Sequence, residues 1–195
     1  MPQRVKDIGF TYTPMTLHKV RPDHMAAIGL VAGEWSALEG HLSSIVSLGL
    51  FTFSQDEAAA GPIVAKILTS IDSIEKRLDV IRKLLQPRIG AELLKQFTDD
   101  IAPAIRKRAK ERNLVVHGYW GIAPEHPNHL VLSPRGGANM AVSLEFESSD
   151  YLLYTVDDLL SVAQRINDTV NAIGGFTFRL VHEKTPLPWL PPTAS

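Results

Sequence analysis

From Pro22 onward, Met25, Ile28, Val31, Trp35, Leu38, Leu42 and Ile45 recur at steps of three and four, the spacing that keeps one face of an α-helix buried. The spacing predicts a first helix from Pro22 to near Gly49. After the break "FTFSQDEAAAGP", a second stripe of Ile63, Ile67, Ile71, Ile74, Leu78, Ile81 and Leu85 runs down to Pro87. Two long stripes with a short link predict an antiparallel pair. A third run opens at Gly90 and is interrupted at "TDDIAP", where Asp99 or Asp100 suits the cap of a new helix. Pro103 fits its first turn, where no backbone hydrogen bond is lost.

The period changes after Trp120. "HLVLS" and "MAVSLEF" are short apolar or alternating runs joined by "PRGGAN", which reads as a β-hairpin with a glycine turn and with Val142, Leu144 and Phe146 on one face. A last helix is predicted from about Thr155 to Ile173, with Val156, Leu159, Leu160, Ala163, Ile166 and Val170 inward. The expected fold class is therefore mainly α: an antiparallel helical bundle of four to five helices with an inserted β-hairpin near 129–147. Residues 1–20 carry Pro2 and Pro14 and read as an irregular arm on the body, residues 21–180 as the helical domain, and residues 181–195 as a proline-rich, extended tail. No repeat of solenoid period is visible.

Composition narrows the function classes. A chain of 195 residues with 45% hydrophobic positions suits one domain with its own core. The 20 basic and 21 acidic residues nearly cancel, so any nucleic-acid site must be local. The absence of cysteine removes disulfides, thiolate nucleophiles and Cys-ligated zinc together. The N-terminal "MPQRVKDIGFTYTP" lacks the apolar stretch of a signal peptide and no window is apolar enough to span a bilayer, so the expectation is a cytoplasmic protein with no membrane partner.

Candidate chemistry concentrates in "KERNLVVHGYW", residues 110–120. Ile105, Ala109, Arg112 and Val116 step by four, three and four, which puts Arg112 on the stripe that faces inward. A guanidinium there needs hydrogen-bonded partners or access to water, because burying it unpaired costs several kcal/mol. Arg112 is thus expected to line a cleft or an interface. Arg106, Lys110, Asn113 and His117 form a second stripe about 100° round the same helix. The helix offers a guanidinium, an amide and an imidazole within a turn and a half. That set suits phosphodiester chemistry: an imidazole moves protons near neutral pH, and a guanidinium neutralises charge building on the phosphorus oxygens, with no metal or other cofactor required. The competing explanation is a helix end, where cations complement the dipole and Gly118 is an ordinary stop. Spacing alone discriminates weakly: an Arg followed four to six residues later by His is expected about once by chance in such a chain, and requiring Asn directly after the Arg lowers that to roughly 0.03.

"RNLVVH", Arg112 to His117, at the end of a late helix in a helical domain, resembles the R-x4-6-H motif of the HEPN family, in which Asn, Asp or His commonly follows the Arg. The resemblance spans the helices from about 21 to 173, though only the six-residue motif is specific, and the hairpin departs from a pure bundle. It implies an all-α fold, a homodimer in which two copies of the motif meet, and a metal-independent endoribonuclease of toxin or defence type with Arg112, Asn113 and His117 as catalytic positions. It also leaves room for an antitoxin protein as partner. Some members bind nucleotides or serve as non-catalytic interaction modules, so the alternative is such a module with Arg112 tied structurally to a carboxylate.

Supporting candidates follow from position. Glu34 and Glu39 flank the apolar stripe of the first helix, where either is suited to orient Arg112 or to sit as a boundary carboxylate. Arg106 and Lys110, within "RKRAKER", are candidates to track phosphates, although such a run is commonly a solvated helix face. Tyr119 and Trp120 are candidates to stack on a base or to be buried under the hairpin. His126 and His129, three apart beside Glu125, have a conceivable metal spacing but no fourth ligand, so a solvated turn is expected and no metal is assigned.

Overall fold

The computed structural model describes residues 1–5, 17–50, 62, 64, 66–133 and 151–183. The break at 51–61, Ile63, the "PRGGAN" turn, Val142, Leu144 and Phe146, and the proline-rich stretch from 184 lie outside the described residues. The described chain is mainly helical, with a small four-stranded antiparallel sheet. It forms two compact units, one drawn from Met1–Trp35 and Lys110–Ile166, the other from Ser36–Ala109 and Asn167–Ser195.

The first unit is built on the sheet. Its strands are β1 (Gln3–Val5), β2 (Tyr119–Gly121), β3 (Leu130–Ser133) and β4 (Tyr151–Tyr154), in the order β1-β4-β3-β2. Leu130, Val131 and Leu132 in β3 are all fully buried, as a central strand covered on both faces requires. Ala123, Val131, Tyr151 and Leu153 form one apolar cluster, and Val5 packs against it. One expectation is corrected here. Gln3–Val5 is no irregular arm: it pairs with β4, Gln3 opposite Leu153 and Val5 opposite Tyr151. β3 pairs with β2 on one edge and with β4 on the other, and the second strand of the expected hairpin, within 141–147, lies outside the described residues. The alternating pattern announced a strand; which edges it shares is settled by chain segments far away in sequence.

The helical parts of this unit follow the stripes seen in the sequence in part. Val31 and Trp35 of α2 (Pro22–Leu50), which follows the short α1 (Leu17–Val20), are buried together with Ala27, whereas Met25 and Ile28 are half-buried and Leu160, expected inward on the last helix, is exposed. The last helix of the chain (Val156–Glu183) begins here with a reciprocal cap. Thr155 Oγ1 accepts from the Asp158 backbone N–H at 3.1 Å and donates to Asp158 Oδ2 at 2.9 Å, while the Thr155 N–H reaches the same carboxylate oxygen at 3.2 Å.

The second unit is all helical among its described residues. After helical residues 66–69 the chain turns, then forms α3 (Ile74–Leu85). The single helix expected from 63 to 85 is thus broken at Ser70–Ser73. Thr69 and Ser70 turn their hydroxyls onto the carbonyls of Lys66 and Ile67, competing with helix propagation, and Arg77 Nε holds the Ile71 carbonyl at 2.7 Å. Ala91–Gln96 (α4) runs through a π-helical turn, Phe97–Ile101, straight into α5 (Ala102–His117). Neither Asp99 nor Asp100 caps a new helix there. Pro103 lacks an N–H and its ring crowds the carbonyl four residues back, and a widened turn with Ala102 N–H bonded to Phe97 O accommodates it without a break.

Numbering the last helix α6, its apolar face continues past Ile173 through Phe176 and Leu180, so it extends to Glu183. Phe176 meets Phe97 of the π turn with ring centroids 5.7 Å apart. Leu38, Leu42 and Ile45 of α2 and Leu78, Ile81 and Leu85 of α3 complete the buried set, each such side chain contributing about 1.5–3 kcal/mol. Arg88, in the turn between α3 and α4, is also fully buried, and none of its three guanidinium nitrogens has a hydrogen-bond partner among the described residues.

Candidate functional site

The helix α5 presents Ile105, Arg108, Ala109 and Val115 to the interior. Arg112 follows Arg108 by one turn on this face and is half-buried, while Lys110, Asn113 and His117 are exposed. The inward stripe runs through Arg112 as the spacing predicts, but closes on Val115, which is fully buried, with Val116 half-buried.

The three motif side chains meet. Arg112 Nη1 donates to Asn113 Oδ1 at 3.0 Å and lies 2.8 Å from His117 Nε2. A guanidinium has no lone pair with which to accept, so Nε2 is the acceptor and the imidazole carries its proton on Nδ1. Below the guanidinium lies Trp35 of α2: Arg112 Cζ is 5.9 Å from the centroid of its ring, and that ring is buried. Arg112 Nε is buried without a hydrogen-bond partner, and Nη2 has none among the described residues. The guanidinium is thus supported on one side by an aromatic face and on another by an amide and an imidazole, with no carboxylate bonded to it among the described residues.

Gly118 ends the helix for a steric reason. A Cβ at this position would run into the Leu132 side chain and the Leu114 carbonyl, so only glycine lets β2 leave α5 this close to β3. Directly after it, Tyr119 pairs with Ser133 and is half-buried. Trp120 is buried, donates from Nε1 to the Val115 carbonyl at 2.8 Å, and stands edge-on to Tyr154 at 5.2 Å. Its ring is therefore committed to packing.

The remaining candidates go elsewhere. Glu39 accepts from Arg77 Nη1 at 2.7 Å, and Arg106 Nε bonds Glu75 at 2.6 Å, both within the second unit. Glu34 precedes Trp35 on α2 and is half-buried, and it makes no bond to Arg112. His126 and His129 stand edge-on with centroids 5.7 Å apart. Among the described residues no group of three or more His, Asp or Glu side chains is placed to hold a metal ion. Two members of the neighbourhood were not singled out from the sequence. Trp35 sat in the apolar stripe of α2 and read as core, and Arg108 shares the inward face four residues before Arg112, a signal the stripe itself contained.

No family model, no curated protein and no solved structure matches the chain. Among the described residues no helix is long and apolar enough to cross a membrane.

Proposed function

We propose that the chain is a metal-independent endoribonuclease of the HEPN type, acting as a homodimer in which two copies of the Arg112–His117 cluster share one phosphate-sized cleft. The observation that supports this reading is the convergence of Arg112, Asn113 and His117 with no carboxylate bonded to the guanidinium among the described residues. A structural ion pair, the alternative role for Arg112, would require a Glu34 or Glu39 bond, and Glu39 is taken by Arg77.

In the proposed reaction His117 Nε2 removes the proton from a ribose 2′-hydroxyl, whose oxygen attacks the adjacent phosphorus. The bond from phosphorus to the 5′-oxygen breaks, and that oxygen takes up a proton from an imidazolium. The products are a 2′,3′-cyclic phosphate and a 5′-hydroxyl. In this reading Arg112 stabilises the pentavalent phosphorane, and Asn113, whose Oδ1 accepts from the guanidinium, leaves its amide N–H groups for a phosphate oxygen. Arg112 Nη1 contacts His117 Nε2, and an incoming phosphate draws the guanidinium onto itself and frees Nε2 to act as base.

The test is incubation of the purified chain with fluorescent RNA in EDTA beside His117→Ala and a substrate carrying a single 2′-deoxy residue. Cleavage by the parent chain, its loss in the variant and protection at the deoxy position are expected. No cleavage by the parent, or equal cleavage by His117→Ala, would end the nuclease reading and leave a binding module.

A further inference from the structure

The second unit holds a cavity of about 150 Å³ that the reaction above does not use. From α2 it is lined by Glu39, Gly40, Leu42 and Ser43. Leu68 and Thr69, at the end of the helical stretch 66–69, and Arg77 of α3 complete the wall. Leu42 and Leu68 are 2% and 4% exposed and make its apolar part, whereas Gly40 and Thr69 are exposed and open it to solvent.

Its polar part is an ion pair held in place. Arg77 Nη1 donates to Glu39 Oε1 at 2.7 Å, and Arg77 Nε donates to the Ile71 carbonyl at 2.7 Å. These bonds leave Arg77 Nη2 and Glu39 Oε2 without hydrogen-bond partners among the described residues. The pair therefore keeps one spare donor beside one spare acceptor. Ser43 and Thr69 turn their hydroxyl protons onto the carbonyls of Glu39, at 3.3 Å, and Lys66, at 3.1 Å, so their oxygens remain as acceptors.

Three properties of a ligand follow. A cavity of about this volume with apolar walls holds one benzene-sized ring, so a single ring fits and a dinucleotide does not. The lining charges cancel, so a charged ligand would lose its hydration without gaining a counter-charge, and a neutral one is favoured. The spare carboxylate oxygen needs a donor and the spare guanidinium N–H an acceptor, which calls for both on one edge of the ring.

We infer that this cavity binds a neutral single-ring molecule with an N–H beside a C=O, the edge a uracil base presents, either free or carried on a single strand. The ring packs on Leu42 and Leu68, its N–H donates to Glu39, and its C=O accepts from Arg77. The site stands whether or not the chain cleaves RNA.

The experiment is a titration of the full chain, 13C-labelled at leucine methyl groups, with 1-methyluracil, in the parent and in His117→Ala. Saturable shifts of the Leu42 and Leu68 methyls that persist in His117→Ala are expected. 1,3-Dimethyluracil, which has no N–H, should bind at least about tenfold more weakly. Glu39→Gln should weaken 1-methyluracil by a similar factor, because the amide that keeps its oxygen on Arg77 turns a donor toward the ligand's donor. Nothing lies within 4 Å of a Cβ built at Gly40, so Gly40→Leu has room to grow into the cavity. It should abolish binding without lowering thermal stability, since a mid-helix glycine is replaced by a good helix former. Competition by a short oligouridylate would identify a base on a strand as the ligand, and its failure to compete a free molecule. Unresponsive Leu42 and Leu68 methyls, benzene or 1,3-dimethyluracil binding as tightly as 1-methyluracil, or unchanged affinity in a folded Gly40→Leu would overturn the inference.

Discussion

The guanidinium of Arg112 and the imidazole of His117 are in contact, Nη1 to Nε2 at 2.8 Å, five residues apart at the end of one helix. Because a guanidinium can only donate, His117 Nε2 accepts in this contact and the imidazole proton lies on Nδ1, and a group more strongly negative than an imidazole nitrogen would compete for the guanidinium.

Trp35 sits beneath that contact and is expected to act as a positioning residue. A guanidinium over an indole face gains about 0.5–2 kcal/mol, so Trp35→Leu should lower kcat/KM on RNA by roughly 2- to 30-fold, and Trp35→Phe should restore part of it. Thermal unfolding of both variants separates this from loss of packing. A Phe variant as inactive as the Leu variant at equal stability would argue against the platform role.

Gly118→Ala should destabilise the first unit by about 2–4 kcal/mol, because the new methyl group meets the Leu114 carbonyl, which is backbone and cannot swing aside. Trimming the other neighbour in a Gly118→Ala, Leu132→Ala double variant should give no rescue in urea unfolding.

Tyr154 is pushed up to about 12 by burial and by the carboxylates of Asp158 and Glu111, with Arg165 opposing. The native state holds the phenolic proton more tightly than the unfolded chain, whose phenol titrates near 10. Stability is therefore unaffected below pH about 10 and falls as pH rises from about 10 to 12, by on the order of 2 kcal/mol. Tyr154→Phe should flatten that part of the stability curve, and absorbance at about 295 nm should show one phenol ionising late in the parent chain but not in the variant.

Arg88 predicts a gain. A fully buried guanidinium with no acceptor among the described residues carries its desolvation cost uncompensated, and burial pulls its proton affinity down. Arg88→Met keeps most of the volume and should raise the unfolding free energy by about 1–3 kcal/mol. A destabilised variant in chemical denaturation would mean that Arg88 has an acceptor in solution.

Position along the chain determined the local features. Steps of three and four placed α2, the inward face of α5 and the start of α6, since a helix hydrogen-bonds within itself and its apolar stripe records which side is buried. The same arithmetic put Arg112, Asn113 and His117 within reach of one another, as neighbours a turn apart on one helix must be. What the tertiary structure decided is every pairing made across long separations. Gln3–Val5 becomes a strand only because β4 offers an edge, and β3 takes β2 and β4 as neighbours because strand pairing depends on which edges are brought together and not on alternation. Glu39 goes to Arg77 and Arg106 to Glu75, choices that no local pattern encodes. Trp35, 77 positions before Arg112, reads in the sequence as one more apolar residue of a helix. It becomes the floor of the candidate site because the first unit folds α2 and α5 so that the indole face meets the guanidinium, a juxtaposition that exists only in three dimensions.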